Sequence, residues 1–358
     1  MSQTDAPAVG IVGLGGMGKK HARHLRDDGC TVAGGADVAE SARNEFASEF
    51  GAHTDADHAA MYDAVDPDAV VVTTPNTFHA PAATAALERG IDVLCEKPLA
   101  DTLENAERIA AAAADSEAFC MVGFHNRFNT APEVCRAYRE AGRFGEVTHV
   151  EANYVRRRGI PGVGSWFTDR SLSGGGALVD IGVHAVDFAL HLAGFPAVEE
   201  VWGTVRRDFA DGEYENPDHF FGDFTIEDDD VFDVDDSATA YLRCADDTTV
   251  ALDVAWAVNR PATDEFVLRG TGGGARCGLG GETLDVFECG LEGTDHYADT
   301  EIRGEYDPAG HAAQDRYFAD RVRAGEAPER NTLEQGLAVQ RVIDAIYESS
   351  ERGEAVRP

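Results

Sequence analysis

Apolar residues are distributed along the chain in two regimes. Up to about Gly123 they form short runs of strand length at 8–12, 31–36, 68–73, 91–95 and 118–123. The segments at 19–26, 79–89 and 102–115 mix alanine and leucine with charged residues at helical spacing. Strands alternating with helices predict a doubly wound parallel sheet, in which ligands bind beyond the carboxyl ends of the strands. Past Gly123, strand-like runs crowd together at 146–155, 198–205, 237–243, 248–258 and 265–271. The alternation in Ala238-Thr239-Ala240-Tyr241-Leu242 suits a half-buried antiparallel strand. Asp208 to Asp236 is acidic and without period, as expected of a surface insertion, and helices at 311–323 and 333–350 end the sequence. The expected class is α/β: a doubly wound domain over 1–124, then an α+β domain over 125–358 on a large, mostly antiparallel, open-faced sheet. The last helix is free to pack back on the first domain.

One helical stretch stands apart. From 177 to 192 the chain is apolar except for Asp180, His184, Asp187 and His191, which fall at i, i+4, i+7 and i+11 on one helix face. A helix apolar on most sides is buried, so its polar stripe needs partners or a cavity. Asp180 and His184 are the candidate functional pair. Asp187 and His191, further along, are expected to leave the site.

Gly13-Leu14-Gly15-Gly16-Met17-Gly18 lies between the strand at 8–12 and the helix at 19–26. That is the context of a dinucleotide fingerprint: the glycines permit a tight turn and bring backbone N–H groups to a pyrophosphate at the helix N-terminus. Asp37 closes the next strand, 19 residues after Gly18, near the interval for a carboxylate that binds a ribose 2′-OH. An ordinary helix cap is the alternative role of Asp37. Thr74-Pro75-Asn76 and Lys97 stand at the ends of two further strands, so one crevice can hold cofactor and catalyst. A plain turn is the alternative for Thr74-Pro75-Asn76. Lysine occurs only at Lys19, Lys20 and Lys97. Its retention in Glu96-Lys97-Pro98 marks a place where arginine cannot substitute for a compact, deprotonatable ammonium.

These segments, with His79 and Phe124-His125-Asn126-Arg127-Phe128, resemble the glucose–fructose oxidoreductase / inositol dehydrogenase / MocA family over most of the chain. The resemblance implies an N-terminal Rossmann domain and an NAD(P)-dependent dehydrogenase acting on a secondary hydroxyl of a sugar or inositol-like cyclitol. It assigns Lys97, Asp180 and His184 to the catalytic group. Cofactor binding is expected of Gly13, Leu14, Gly15, Gly16, Met17, Gly18, Asp37, Thr74, Pro75, Asn76, His79, Glu96 and Lys97. It also implies a cis Lys97–Pro98 bond and pairing of subunits through the open sheet face, as a homodimer or homotetramer. Arg127, Tyr154, Arg156 and Trp166 are the candidates to line the substrate pocket. His184 suits a general base near neutral pH, with Asp180 orienting it and Lys97 stabilising alkoxide charge; Lys97 as the base is the other assignment. Asp37 favours NAD over NADP, because a carboxylate repels a 2′-phosphate. The alternative functions are a redox-assisted glycosidase or eliminase, which the family's fold also hosts, a catalytically silent NAD-sensing regulator, and an aldehyde or dihydrodiol dehydrogenase with a hydrophobic substrate.

Composition adds the setting. The formal net charge is −35, from 65 acidic against 30 basic residues. Self-repulsion of that size is relieved when molar salt shortens the Debye length to about 3 Å, so acidic surplus with few lysines reads as a haloarchaeal-type adaptation. It also excludes nucleic acid and anionic membrane as expected partners. A polar amino terminus and the absence of a membrane-length apolar run lead to an expected cytoplasmic location. Seven scattered cysteines without a C-x-x-C pair predict neither a disulfide framework nor a metal site.

Overall fold

The computed structural model describes residues 6–162, 164–212, 231–290, 293–304 and 309–358. They divide into two compact units. One runs to His125 and takes in Gly310–Leu337; the other comprises Asn126–Ala309 and Ala338–Pro358. Most of the expected acidic insertion, 213–230, including Glu227-Asp228-Asp229-Asp230, lies outside the described residues.

The first unit is an open sheet with strand order β3-β2-β1-β4-β5-β6, parallel throughout. Its elements are β1 (Ala8–Val12), α1 (Gly16–Asp27), β2 (Thr31–Ala36), α2 (Glu40–Phe50), β3 (His53–Asp55), α3 (His58–Val65), β4 (Ala69–Val72), α4 (His79–Leu87), β5 (Asp92–Cys95), α5 (Leu103–Ala114) and β6 (Cys120–Val122). β4 is buried at every position, as a central parallel strand covered on both faces must be. Two helix starts carry a side-chain cap: Asp57 accepts the Ala60 N–H at 2.9 Å and Thr102 the Asn105 N–H at 3.2 Å.

The second unit holds α6 (Thr130–Glu140), β7 (Val147–Val155), α7 (Arg170–Ser173), α8 (Val183–Ala193), β8 (Val198–Arg206), β9 (Ser237–Cys244), β10 (Thr249–Ala255), β11 (Thr263–Gly270), β12 (Gly273–Cys277), β13 (Thr283–Gly290) and β14 (His296–Arg303). Its sheet runs β14-β13-β12-β11-β7-β10-β9-β8, with β7 and β10 parallel and the other neighbours antiparallel. α8 packs on β7, β10 and β11. On the opposite face the register sets Trp202, Tyr241, Ala251, Glu151, Val267, Arg276 and Asp285 side by side. Trp202 and Tyr241 there are half exposed, at 49% and 48%. α9 (Gly310–Ala324) returns to the first unit and packs on α1; α10 (Leu333–Arg352) follows.

Two expectations are corrected. The helix expected over 177–192 is not uniform: Leu178–Gly182 forms a π turn before α8 begins. The wider turn breaks the single stripe, and its four polar residues find separate environments. Arg170–Ala193 also has the length and hydropathy of a membrane span, contrary to the composition reading, but most of it is buried within the second unit. Its apolarity serves the underside of the sheet.

Asp187 shows what the stripe is for at its far end. Arg127 and Asp187 are both buried, at 0% and 1% exposure, with Arg127 Nε 3.1 Å and Nη2 2.5 Å from Asp187 Oδ1. Burial pushes the Asp187 carboxyl up, against the pull of the guanidinium. Removing one member of such a pair strands a buried charge, at a cost of about 3–5 kcal/mol. Arg127→Met is therefore expected to destabilise the protein by that amount in denaturant titration, and Arg127→Met/Asp187→Leu to recover most of it.

Candidate active site

The turn after β1 is dictated by contact distances. Gly13 has φ +91° and an added Cβ would lie 2.8 Å from the Thr73 carbonyl carbon; one on Gly18 would lie 2.0 Å from Gly13 O. Thr73 Oγ1 donates to Gly13 O at 2.7 Å and ties the turn to the end of β4. Gly15, Gly16 and Met17 are exposed, and Gly15 caps α1 without a side-chain hydrogen bond. Leu14, by contrast, is buried. An uncapped helix start of this kind offers N–H donors and partial positive charge to a phosphate, so these residues fit the pyrophosphate of a dinucleotide.

Asp37 is tied to the same turn. Its Oδ2 accepts the Leu14 N–H and its Oδ1 the Ala39 N–H, each at 2.8 Å. The second contact is an i to i+2 turn ahead of α2, whose N-cap is Ala39, so Asp37 is not the helix cap given as its alternative role. A carboxylate has about four acceptor positions, which leaves capacity for a ribose diol. Nearby cations are engaged: Lys19 with Glu45, Lys20 with His311, and Arg43 with the carbonyls of Asp37 and Val38. Pro75 leads into a 3-10 turn at Asn76–Phe78, and Asn76 is buried. His79, 1% exposed, lies 2.8 Å from Pro98 O and 2.9 Å from Thr74 O. Burial holds its pKa down, and the ring lies between the carbonyls of the two loops.

Glu96 extends the β5 ladder through Glu96 N to Val72 O at 2.9 Å, and the Lys97–Pro98 bond is cis. The Glu96 carboxylate points into the unit. Its Oε1 is 3.1 Å from His21 Nε2, and its Oε2 accepts the Lys97 N–H at 3.1 Å. His21 Nδ1 in turn is 2.7 Å from Asp315 Oδ1, and Asp315 Oδ2 is 2.7 Å from His24 Nδ1. Burial opposes charge on His21, but Asp315 and Glu96 outweigh it and raise the ring to about 10. Burial likewise opposes charge on Glu96, and His21 reverses it, lowering the carboxyl to about 2. His125 and His311 stack at 3.5 Å. Burial lowers them to about 4 and about 3.

In the second unit the helix start is held from outside. Asp235 accepts the Gly176 and Leu178 N–H groups, each at 2.9 Å, and the Tyr347 hydroxyl at 2.6 Å. Asp180 follows on the π turn, its Oδ2 accepting from the buried Trp256 Nε1 at 3.0 Å. His184 Nδ1 lies 3.3 Å from the Asn126 side-chain nitrogen. With the amide the other way round, Asn126 Oδ1 would accept from Nδ1–H and leave Nε2 as the acceptor a base requires. Of the residues expected to line a substrate pocket, Tyr154 and Arg156 are joined, Nη2 to hydroxyl at 2.8 Å, and Trp166 stacks on Phe167 at 3.9 Å. Arg127 is instead buried on Asp187.

Trp256, Asp235, Tyr347, His21 and Asp315 had no role in the sequence reading, and Asn126 entered it only as part of the Phe124–Phe128 motif. Of the first five, only His21 left a local signal. With Gly18, Ala22 and Leu25 it forms the buried face of α1, where a histidine needs partners.

Residues 8–124 match the sequence profile of an oxidoreductase family with an NAD-binding Rossmann fold, and 134–276 that of the GFO/IDH/MocA C-terminal domain. The chain is 30% identical to D-glucoside 3-dehydrogenase of Escherichia coli, over 84% of this chain and 82% of that protein. It is also 30% identical to D-xylose 1-dehydrogenase (NADP+) 2 of Haloferax volcanii, over 81% and 80%. A levoglucosan dehydrogenase solved with NADH and L-sorbose has the same fold, with TM-score 0.83 at 23% identity over 99% of both chains.

The buried network has a pH signature. The His21 contribution to stability is complete below 6.5 and lost as pH rises through about 10; that of Glu96 is complete above 4.5 and lost as pH falls through about 2. The melting temperature is expected to fall as pH is raised from 6.5 to about 10, and to fall less in His21→Gln. Equal slopes in a calorimetric series would show that His21 does not hold its proton.

Proposed function

The chain belongs to the GFO/IDH/MocA oxidoreductase family, and we propose that it is an NAD-dependent dehydrogenase oxidising a ring secondary hydroxyl of a sugar or cyclitol. The observation that carries this reading is on one sheet edge. The glycine turn, Asp37 and Lys97 follow β1, β2 and β5, all at carboxyl ends of the parallel sheet. The relatives' names, a glucoside and a xylose dehydrogenase, favour pyranose-type substrates. Bound nicotinamide would supply the hydride acceptor. Lys97 then hydrogen-bonds the reacting oxygen, and His184 takes its proton. Asp180, fixed by Trp256, orients that proton transfer or a neighbouring hydroxyl. Tyr154, Arg156 and Trp166 are the proposed substrate contacts, and Asn76, Thr74 and Pro75 line the nicotinamide side. The open sheet face, with Trp202 and Tyr241 half exposed, is the proposed subunit contact, and the cytoplasm the proposed location.

A panel of glucosides, free sugars and inositols with NAD or NADP in molar KCl tests the reaction. Net reduced cofactor supports it. Sugar consumed without reduced cofactor would indicate the redox-assisted glycosidase, and binding without turnover the silent regulator. Lys97→Arg is expected to fold and bind cofactor but lose most turnover, and His184→Ala to lose roughly 10²–10⁴-fold in kcat. Near-full turnover in either would remove that residue from the catalytic group.

Cofactor choice follows from Asp37 and the engaged lysines. Higher kcat/KM with NAD than NADP is expected, with Asp37→Ser moving the ratio toward NADP. The Haloferax relative uses the other cofactor by name, so a wild-type preference for NADP is the outcome that would overturn this assignment.

The haloarchaeal-type reading rests on the net charge of −35 and on that same relative. Melting temperature is expected to rise with KCl into the molar range as self-repulsion is screened. A flat or falling series would contradict it.

A further inference from the structure

His21 lies outside the glycine motif and outside the proposed catalytic group, yet its ring has no exposed surface and meets a carboxylate oxygen at each nitrogen. A neutral imidazole carries one N–H and one lone pair. Placed between two ionised carboxylates, it would turn that lone pair on an anion. Only the imidazolium donates both ways. The neighbours fit this count. Lys20 Nζ, a donor only, is 3.0 Å from His311 Nδ1, which must therefore be a bare acceptor on a neutral ring. The groups facing His21 are Glu96 after β5, Asp315 and His311 on α9, and Lys20 and His24 on its own helix. His125 stacks on His311, and Lys97 adjoins Glu96. Gly123 backs the Glu96 side chain so closely that a Cβ there would lie 3.0 Å from its Cδ, so the carboxylate has no room to turn away.

We propose that His21, held as an imidazolium between Asp315 and Glu96, is a positioning residue that fixes the main chain of Lys97 through the Glu96 carboxylate. The connection runs Asp315, His21, Glu96, then the Lys97 N–H. It links the helix that opens at the dinucleotide turn to the loop that carries the lysine. Its consequence for turnover rests on the catalytic reading of Lys97; its structural consequence does not.

Two readouts test it on the full chain in molar KCl. In the wild type, 15N-histidine spectra are expected to show one ring doubly protonated from about pH 6 to about pH 9, beyond the ordinary range of histidine. That signal should be absent from His21→Gln. Titration of every ring near about 6.5 would overturn the proposal. The Lys97 amide is expected to be protected from hydrogen exchange, and to lose that protection in His21→Gln and in Glu96→Gln; unchanged protection overturns it. With an active substrate in hand, both variants should lose up to about 10²-fold in kcat with KM little changed. The double variant should lose no more than the worse single one, because both act on one path. A lowered melting temperature with intact kcat would make His21 purely structural. If Lys97→Met itself keeps turnover, the catalytic reading fails while the exchange measurement still decides the positioning.

Discussion

A buried carboxylate needs a donor for each oxygen, and the organisation of both units depends on how that need is met. The chain has 65 acidic residues and 30 lysines and arginines, so cations are scarce inside. At Asp187 the partner is a whole guanidinium. Glu96 and Asp315 share one imidazolium and complete their shells with the Lys97 N–H and His24. Among the described residues no cation pairs with Asp235, and burial pushes it up while Tyr347 and the Gly176 and Leu178 amides pull it down. In each case the acid that is costly to bury joins segments far apart in sequence, so its satisfaction requires the fold to be complete.

The same economy shapes the proposed chemistry. Lys97 and Asp180 each stand one contact away from a buried anchor, Glu96 and Trp256, and His184 from the half-buried Asn126. Reacting groups must be held closely, since a displacement of about 1 Å can cost 10²-fold in rate. Surface ion pairs such as Arg243 with Glu199 and Glu200 contribute little individually and less in salt. The buried set is screened far less.

Much of the first unit was legible in the sequence because its information is local. The runs that became β1, β2, β4 and β5 are mostly apolar, and Thr102 directly precedes the helix it caps. β3, with three residues, and α6, with few buried positions, left no comparable pattern. β12, β13 and β14 were missed for a different reason. β12 is short and opens on two glycines, β13 has few buried positions, and most of β14 is exposed. Asp180 and His184 were legible as polar breaks in a buried helix. Their supports were not. Asp315 lies 294 residues from His21, and Tyr347 lies 112 from Asp235, beyond the reach of any periodicity. Arg127 was read as a pocket residue because its motif names it without showing that Asp187, 60 residues on, would bury it.

The proposed reaction is direct hydride transfer from a sugar carbon to the nicotinamide. It is tested most directly by a single turnover of enzyme and NAD with a sugar substrate fully deuterated at carbon, followed by mass analysis of the cofactor. Reduced cofactor carrying deuterium is expected, with turnover slower than for the unlabelled sugar if hydride transfer limits the rate. Reduced cofactor free of deuterium, or sugar converted with the cofactor left oxidised, would contradict it.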